Sequence, residues 1–323
     1  MTTKLGRLVA LAALGMSGAA HAGWYNDGKV LLTDGVNMAD GAGGGGAVPW
    51  AVIAGKETRD GINGSVHYTY AHLPDYDFHS YGVAIGLFDR FELSYANDAL
   101  PTGSTYDTVG LANRVAGVTP GIEPWNTTVK MNVYGAKVRV FGEAIYDSDN
   151  LIPQLAVGGF YKKNSNTDLL KTLQANKASD WEAYIAATKI FFPINTAIDV
   201  TLRYTSANED GLTGFGNQNG NKRRVRPEAS IAYLLAKDTA IGAEFMKHGR
   251  NLSGQSLNVA GGVVLPAGLA GGAATIEEGD WYDAFFAYEP NKHISLTMAY
   301  LMFGQILVTP HQNGFYFSVQ ADF

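Results

Sequence analysis

The last ten residues read Gly314-Phe-Tyr-Phe-Ser-Val-Gln-Ala-Asp-Phe323. Phe315, Phe317, Val319, Ala321 and Phe323 fall on one parity, and Tyr316, Ser318, Gln320 and Asp322 on the other. A repeat of two is strand spacing, because successive side chains of a β-strand point to opposite faces. One face of this segment is therefore apolar and the other polar. The pattern recurs upstream. In 293–303, Ile294, Leu296, Met298, Tyr300 and Met302 alternate with His293, Ser295, Thr297 and Ala299. In 224–235, Val225, Ile231, Tyr233 and Leu235 share one parity while Arg224, Arg226, Glu228 and Ser230 share the other.

Fourteen segments read as strands: 28–36, 48–57, 60–72, 78–88, 90–97, 128–142, 151–163, 180–191, 195–206, 223–236, 239–248, 280–289, 292–303 and 312–323. Segment 128–142 fits least well, since Lys137 and Arg139 share a face with Val133. The connections alternate in length. Tight ones fall at Asp89-Arg90, Phe192–Ile194, Lys237-Asp238 and Pro290-Asn291, and long ones at 98–127, 164–179, 207–222 and 249–279. In an antiparallel meander every second connection lies on the same side, so the long loops share one rim and the tight turns the other. That arrangement, with an even strand number, is the pattern of an outer-membrane barrel. A membrane band of about 25 Å crossed at about 40° needs roughly ten residues per strand, and the segments are near that length. Tyr70, Tyr81, Tyr95, Tyr161, Trp181, Tyr204 and Tyr300 lie near the long-loop rim on the apolar parity, where amphipathic rings favour the lipid–water interface. A secreted β-sandwich also alternates, but it needs neither aromatic bands nor this loop parity. The fold class expected is thus all-β, a transmembrane antiparallel up-and-down barrel of fourteen strands. If 28–36 folds inside the barrel and 48–57 leaves the wall with it, the count becomes twelve.

Composition agrees. Of 323 residues, 46% are hydrophobic and only 17% charged, with Lys+Arg 24 against Asp+Glu 30 and no cysteine. The mean hydropathy of −0.05 is too polar for a bundle of membrane helices. The lack of cysteine removes disulfides, thiolate metal sites and a cysteine nucleophile. The acidic balance argues against a nucleic-acid partner. Lys4 and Arg7, a short apolar stretch from Leu8 to Gly18, and Ala20-His21-Ala22 form the three parts of a secretory signal, with cleavage expected after Ala22. Residues 23–323 are then the barrel.

The terminal strand ending in Phe323 resembles the signal read by the outer-membrane barrel assembly machinery. Three further stretches carry a narrower resemblance: Gly28-Lys-Val-Leu-Leu-Thr33 with Pro49-Trp50, Ala186-Ala-Thr-Lys-Ile190, and Pro290-Asn-Lys-His-Ile-Ser-Leu296 with Ala299-Tyr300. Together they resemble a proteobacterial outer-membrane family known as domain of unknown function 3034. The resemblance implies an outer-membrane barrel and location in a Gram-negative bacterium. It implies no activity and no catalytic residue.

No chemistry-bearing motif stands out. Gly41-Ala-Gly-Gly-Gly-Gly46 contains a G-x-G-x-x-G, but a dinucleotide site needs it between a strand and a helix, and Ala47-Val-Pro49 follows. A flexible loop is expected instead. The histidines show no metal-ligand spacing, and no Ser-His-acid set converges on the wall. Neither an enzyme nor a cofactor nor a metal is expected. The polar parity is more informative. It places Glu92, Glu182, Asp199, Arg203, Arg224, Arg226, Glu228, Glu244 and Asp283 towards the lumen, where charge must be paired or wet. At the outer rim, Lys222 and Arg223 are candidates for contact with lipopolysaccharide phosphates or other anions. Leu257, Val259, Val263, Val264, Leu265, Leu269 and Ile276 make loop 249–279 unusually apolar. A short amphipathic helix is expected at Asp168–Lys177.

Three functions follow from these readings. The first is a porin-like channel or transporter for a small solute. The second is a plugged structural or docking barrel that binds lipopolysaccharide or a partner, including a second copy, through its loops. The third is a transporter of apolar molecules. The lipid of the outer membrane and, during biogenesis, the assembly machinery are the partners expected in every case.

Overall fold

The structure is a computed structural model describing residues 28–59, 61–105, 107, 127–144, 151–255 and 276–323. The expected signal segment 1–22 and residues 256–275 of the apolar loop lie outside the described residues. Twelve long strands form the wall: β1 (Ile62–His72), β2 (Asp77–Leu87), β3 (Phe91–Pro101), β4 (Thr128–Phe141), β5 (Gln154–Asn164), β6 (Ser179–Phe191), β7 (Thr196–Thr205), β8 (Arg224–Ala236), β9 (Thr239–Met246), β10 (Trp281–Asn291), β11 (Ile294–Met302) and β12 (Asn313–Asp322). Each pairs antiparallel with the next, and β12 returns to β1 with Phe317 opposite Tyr70 and Asp322 opposite Ser65. The ring is therefore closed. A sheet bathed in hydrocarbon must close, since every unpaired backbone group there costs several kcal/mol.

Alternation sets the two surfaces. On β2, Tyr81, Val83 and Ile85 are exposed while Ser80 and Ala84 are buried. On β12, Phe315 and Phe317 point out while Tyr316, Ser318 and Gln320 point in. The awkward strand β4 obeys the same rule, with Val133 and Lys137 both inward and Tyr134 and Val138 both outward. Tight connections at 88–90, 192–195, 237–238 and 292–293 share one rim with the longer 142–153, and loops 102–127, 165–178, 206–223 and 247–280 share the other. Helix α1 (Thr167–Thr172) lies in loop 165–178 and buries Leu169 and Leu170.

The expected fourteen-strand wall is corrected to twelve, because 28–36 and 48–57 are not wall strands. Val48, Ala51, Val52 and Ile53 are all 1% exposed or less. A wall strand must show one parity to lipid, and here neighbours on both parities are buried. The run from Val48 to Ala54 does not alternate, which suits a segment surrounded on all sides. Residues 28–59 therefore lie inside the barrel as a plug, with a small hairpin that pairs Val36–Asn37 with Gly43–Gly44. The stretch Gly41–Gly46, expected as a flexible loop, is part of that buried plug. Glycine is needed there for close approach: a Cβ on Gly45 would collide with the Glu244 carboxylate. On the wall, a Cβ on Gly86 would meet the plug carbonyl of Ala54.

The plugged lumen as candidate functional site

The plug has almost no regular structure, so its backbone groups must find partners elsewhere. The inward side chains of the wall supply them. On β3, Glu92 accepts from Ala54 N at 2.8 Å and Gly43 N at 3.2 Å. Lys137 of β4 pairs with Glu92 at 3.0 Å and donates to the carbonyls of Gly43 and Val52, both at 2.7 Å. Glu244 of β9 accepts from Gly46 N at 2.8 Å and Ala47 N at 2.7 Å. The β6 hydroxyl of Thr188 accepts from Ala51 N at 2.7 Å and donates to Asp199 at 2.6 Å. Thr201 donates to Pro49 O at 2.7 Å, and Gln154 donates to Ala51 O at 2.8 Å. Glu289 of β10 accepts from Leu32 N at 2.5 Å and forms an ion pair with Lys56. Seven wall strands thus hold the plug through named polar groups.

A second cluster joins plug, wall and outer loop. Lys162 Nζ lies 2.7 Å from Asp40 of the plug, 3.1 Å from Glu182 and 2.7 Å from Asp210 of loop 206–223. Arg203 pairs with Glu182 at 3.0 Å through Nη1 and with Glu228 at 2.7 Å through Nε. Arg203 is 1% exposed. Asp40, Glu182 and Asp210 are close enough to share a cation, but Lys162 already bridges all three. Four carboxylates face two cations here, an arrangement that makes sense only if every member is hydrogen-bonded. Burial, and then the neighbouring Asp210 charge, push the Asp40 carboxyl up from its ordinary value against the pull of Lys162 and Arg203. At the turn rim, burial pushes Asp34 up to about 7 although Lys29 lies 3.6 Å away. Lys29 is nearer to Asp89, at 3.2 Å, and donates to Ile53 O at 2.6 Å.

Between the plug and the loop end lies a largely apolar cavity of about 130 Å³. Val36, Met38 and Trp50 of the plug form one side, and Met246, Trp281, Phe285 and Leu301 of β9–β11 another. Leu73, Leu169, Leu212 and Ile306 from the outer loops contribute the rest. Asp98, Glu244 and Asp283 also reach its lining.

The molecule thus combines a closed wall, a plug drawn from residues 28–59 and a cavity between plug and loops. Residues 33–320 match the family described as Protein of unknown function (DUF3034). The chain belongs to that family. No curated protein matches. Among solved structures, the KdgM porin is similar at 10% identity and a TM-score of 0.46, covering 80% of this chain and 99% of that one. The NanC porin is similar at 7% identity and a TM-score of 0.44, covering 80% and 98%. Outer membrane phospholipase A from Escherichia coli is similar at 11% identity and a TM-score of 0.37, covering 82% and 93%. These are likenesses of β-barrel architecture and no more.

The structure distributes the sequence-derived residues unequally in this family member. Glu182, Arg203 and Glu228 meet in one network, and Glu244 stands opposite Asp283 across β9 and β10. Glu92 and Asp199 lie apart, each beside the plug. Arg226 is buried and donates to Ala207 O at 2.8 Å, whereas Arg224 is exposed at the strand's start. Lys222 is exposed. Arg223 is engaged at the wall: its guanidinium lies 4.0 Å over the Trp181 ring and pairs with Asp180. Phe323 exchanges backbone hydrogen bonds with Gly64 at 2.7 and 2.9 Å, so the terminal residue helps seal the β12–β1 seam. Lys162, Asp40, Asp210 and Glu289 escape the sequence reading. Lys162 sits inward on β5, yet lysine at a strand end reads as a solvated rim. Asp40 and Asp210 sit in irregular segments, where no periodicity reports direction.

Proposed function

We propose that the protein is a plugged barrel of the Gram-negative outer membrane that admits a small apolar solute through the cavity between its loops and its plug. The observation that carries this reading is the cavity itself. An enclosed space lined mainly by Leu, Met, Phe, Val and Trp side chains favours the hydrocarbon part of a small molecule. The location rests on the outward face, where Leu93, Ile185, Ile231 and Phe317 lie in water-incompatible number between aromatic residues such as Tyr81 and Trp181. Lipid surrounds that face, and exposed Lys222 at the loop rim supplies a contact for lipopolysaccharide phosphate. The inward charges act as fastenings of the plug rather than as rings that select ions.

Two measurements test the proposal. In planar bilayers the intact protein carries no steady ion current, and deletion of residues 28–59 produces one. In nanodiscs it binds radiolabelled propylbenzene saturably beyond the partition into empty discs. Steady current through the intact protein would return the molecule to the class of aqueous pores. Current-free protein without saturable binding would make it a plugged docking barrel.

A further inference from the structure

The strand β10 turns Trp281, Asp283 and Phe285 towards the cavity in succession. Residues i and i+2 on one face are about 7 Å apart, so a carboxylate sits between two aromatic side chains. Trp281 is held by two neighbouring rings, Phe303 with its centroid at 4.0 Å and His248 at 4.1 Å. Asp283 is 7% exposed, and it makes no hydrogen bond or ion pair among the described residues. Several other inward acids near the plug have an occupation: Glu92 holds Ala54 and Gly43, Glu289 holds Leu32, and Glu182 and Glu228 hold Arg203. Glu244, opposite Asp283, uses Oε2 on two plug amides and leaves Oε1 without a partner. Asp283 is therefore a buried acid in a largely apolar chamber, and no group among the described residues satisfies it. Such a group is costly unless something else pairs with it.

We infer that the cavity takes an apolar molecule bearing a protonated amine, with the ammonium seated on Asp283 between the rings of Trp281 and Phe285. The chemistry is complementary in each part. The carboxylate accepts charge-assisted hydrogen bonds from the ammonium. The ring faces attract the cation where water is excluded. Glu244 Oε1 is a further acceptor for the remaining N–H. The hydrocarbon portion occupies the space lined by Met246 and Leu301. The inference rests on the apolar-solute reading and refines its substrate class.

The test uses three probes of one shape on the full-length protein in nanodiscs: propylbenzene, 3-phenylpropylamine and 3-phenylpropanoate. The amine is expected to bind at least about tenfold more tightly than propylbenzene, in line with a hydrogen bond to a charged group, and the acid is expected to bind worst. In Asp283→Asn the ratio of amine to propylbenzene affinity should collapse to about one, and in Glu244→Gln it should fall part-way. Asp168→Asn, on the exposed loop helix, leaves the ratio unchanged. Retained heat-modifiable gel mobility shows that each variant is folded. If propylbenzene binds and the amine gains nothing, or if Asp283→Asn keeps the full preference, the inference is overturned while the apolar reading stands. If no probe binds saturably, the apolar reading itself has failed.

Discussion

Arg203 shows what a single lumen residue does. Its guanidinium is shared between Glu182 and Glu228, with Asp210 at 3.3 Å, and the residue is buried. The desolvation of so many charges is offset only while every partner is present. Arg203→Leu strands Glu228, leaves Glu182 and Asp210 to Lys162 alone, and is expected to cost about 3–5 kcal/mol. Replacing Arg203 and Glu228 together by Met and Leu should cost less than the single change, since it removes a buried charge along with its partner. Thermal loss of heat-modifiable mobility measures both; a single variant as stable as the parent would contradict the network. Residue-level reading from sequence reaches a definite limit here. Strand parity tells which side of the wall Arg203 is on. It does not tell that Asp40, 163 positions earlier in spirit a loop residue, is brought to the same spot, because irregular backbone has no period to read.

The plug is the element that the alternation rule handles worst. The rule detects a boundary between oil and water, and a segment enclosed on all sides has no such boundary. The stretch Val48–Ala54 therefore resembles a fully buried strand in sequence while having no ladder in the structure. The wall strands, by contrast, were legible one by one, because each has an exposed apolar face on one side and polar groups on the other. The plug also carries its own pH dependence. Asp34 sits at about 7 in the folded protein against an ordinary value near 3.8, because burial disfavours its charged form. A carboxyl raised on folding contributes stability that is fully present below its unfolded value and is lost as pH rises through the folded one. Docking of residues 28–59 should accordingly weaken between about pH 4 and about pH 7, and level off above. Hydrogen exchange of the plug amides across that range reads the change, and Asp34→Asn should flatten it. Protection that rises with pH in the parent would reverse the sign and remove Asp34 as the cause.

At the scale of the whole molecule, the outward surface decides the environment. Ile231 lies near the middle of β8 and faces away from the lumen, half exposed. In a water-soluble protein an arginine there would be nearly neutral. In a bilayer it is expected to cost about 2–4 kcal/mol, and the penalty should shrink for substitutions nearer either rim. Refolding Ile231→Arg into vesicles, compared with the same change at Val225 near the loop end, measures the depth profile. A flat profile would take the wall out of the membrane. Closure, loop parity and the apolar outer face were all readable from spacing alone, since they depend on local alternation repeated around a ring. The strand number was not, because it depends on whether the first segments join that ring or fill it.

The ends of the inner stretch have a consequence for biogenesis. Lys29 N bonds to Lys56 O at 3.0 Å, so the segment begins and finishes side by side at the turn rim. Its anchors are scattered through later parts of the chain, the last being Gln320, whose Oε1 accepts from Asn37 N at 2.7 Å. A ribosome makes the stopper long before it makes most of the bottle. Because the stopper doubles back so that Lys29 and Lys56 sit together at the turn rim, it can slide in from that side after the staves have met, and the cylinder need not reopen to be corked.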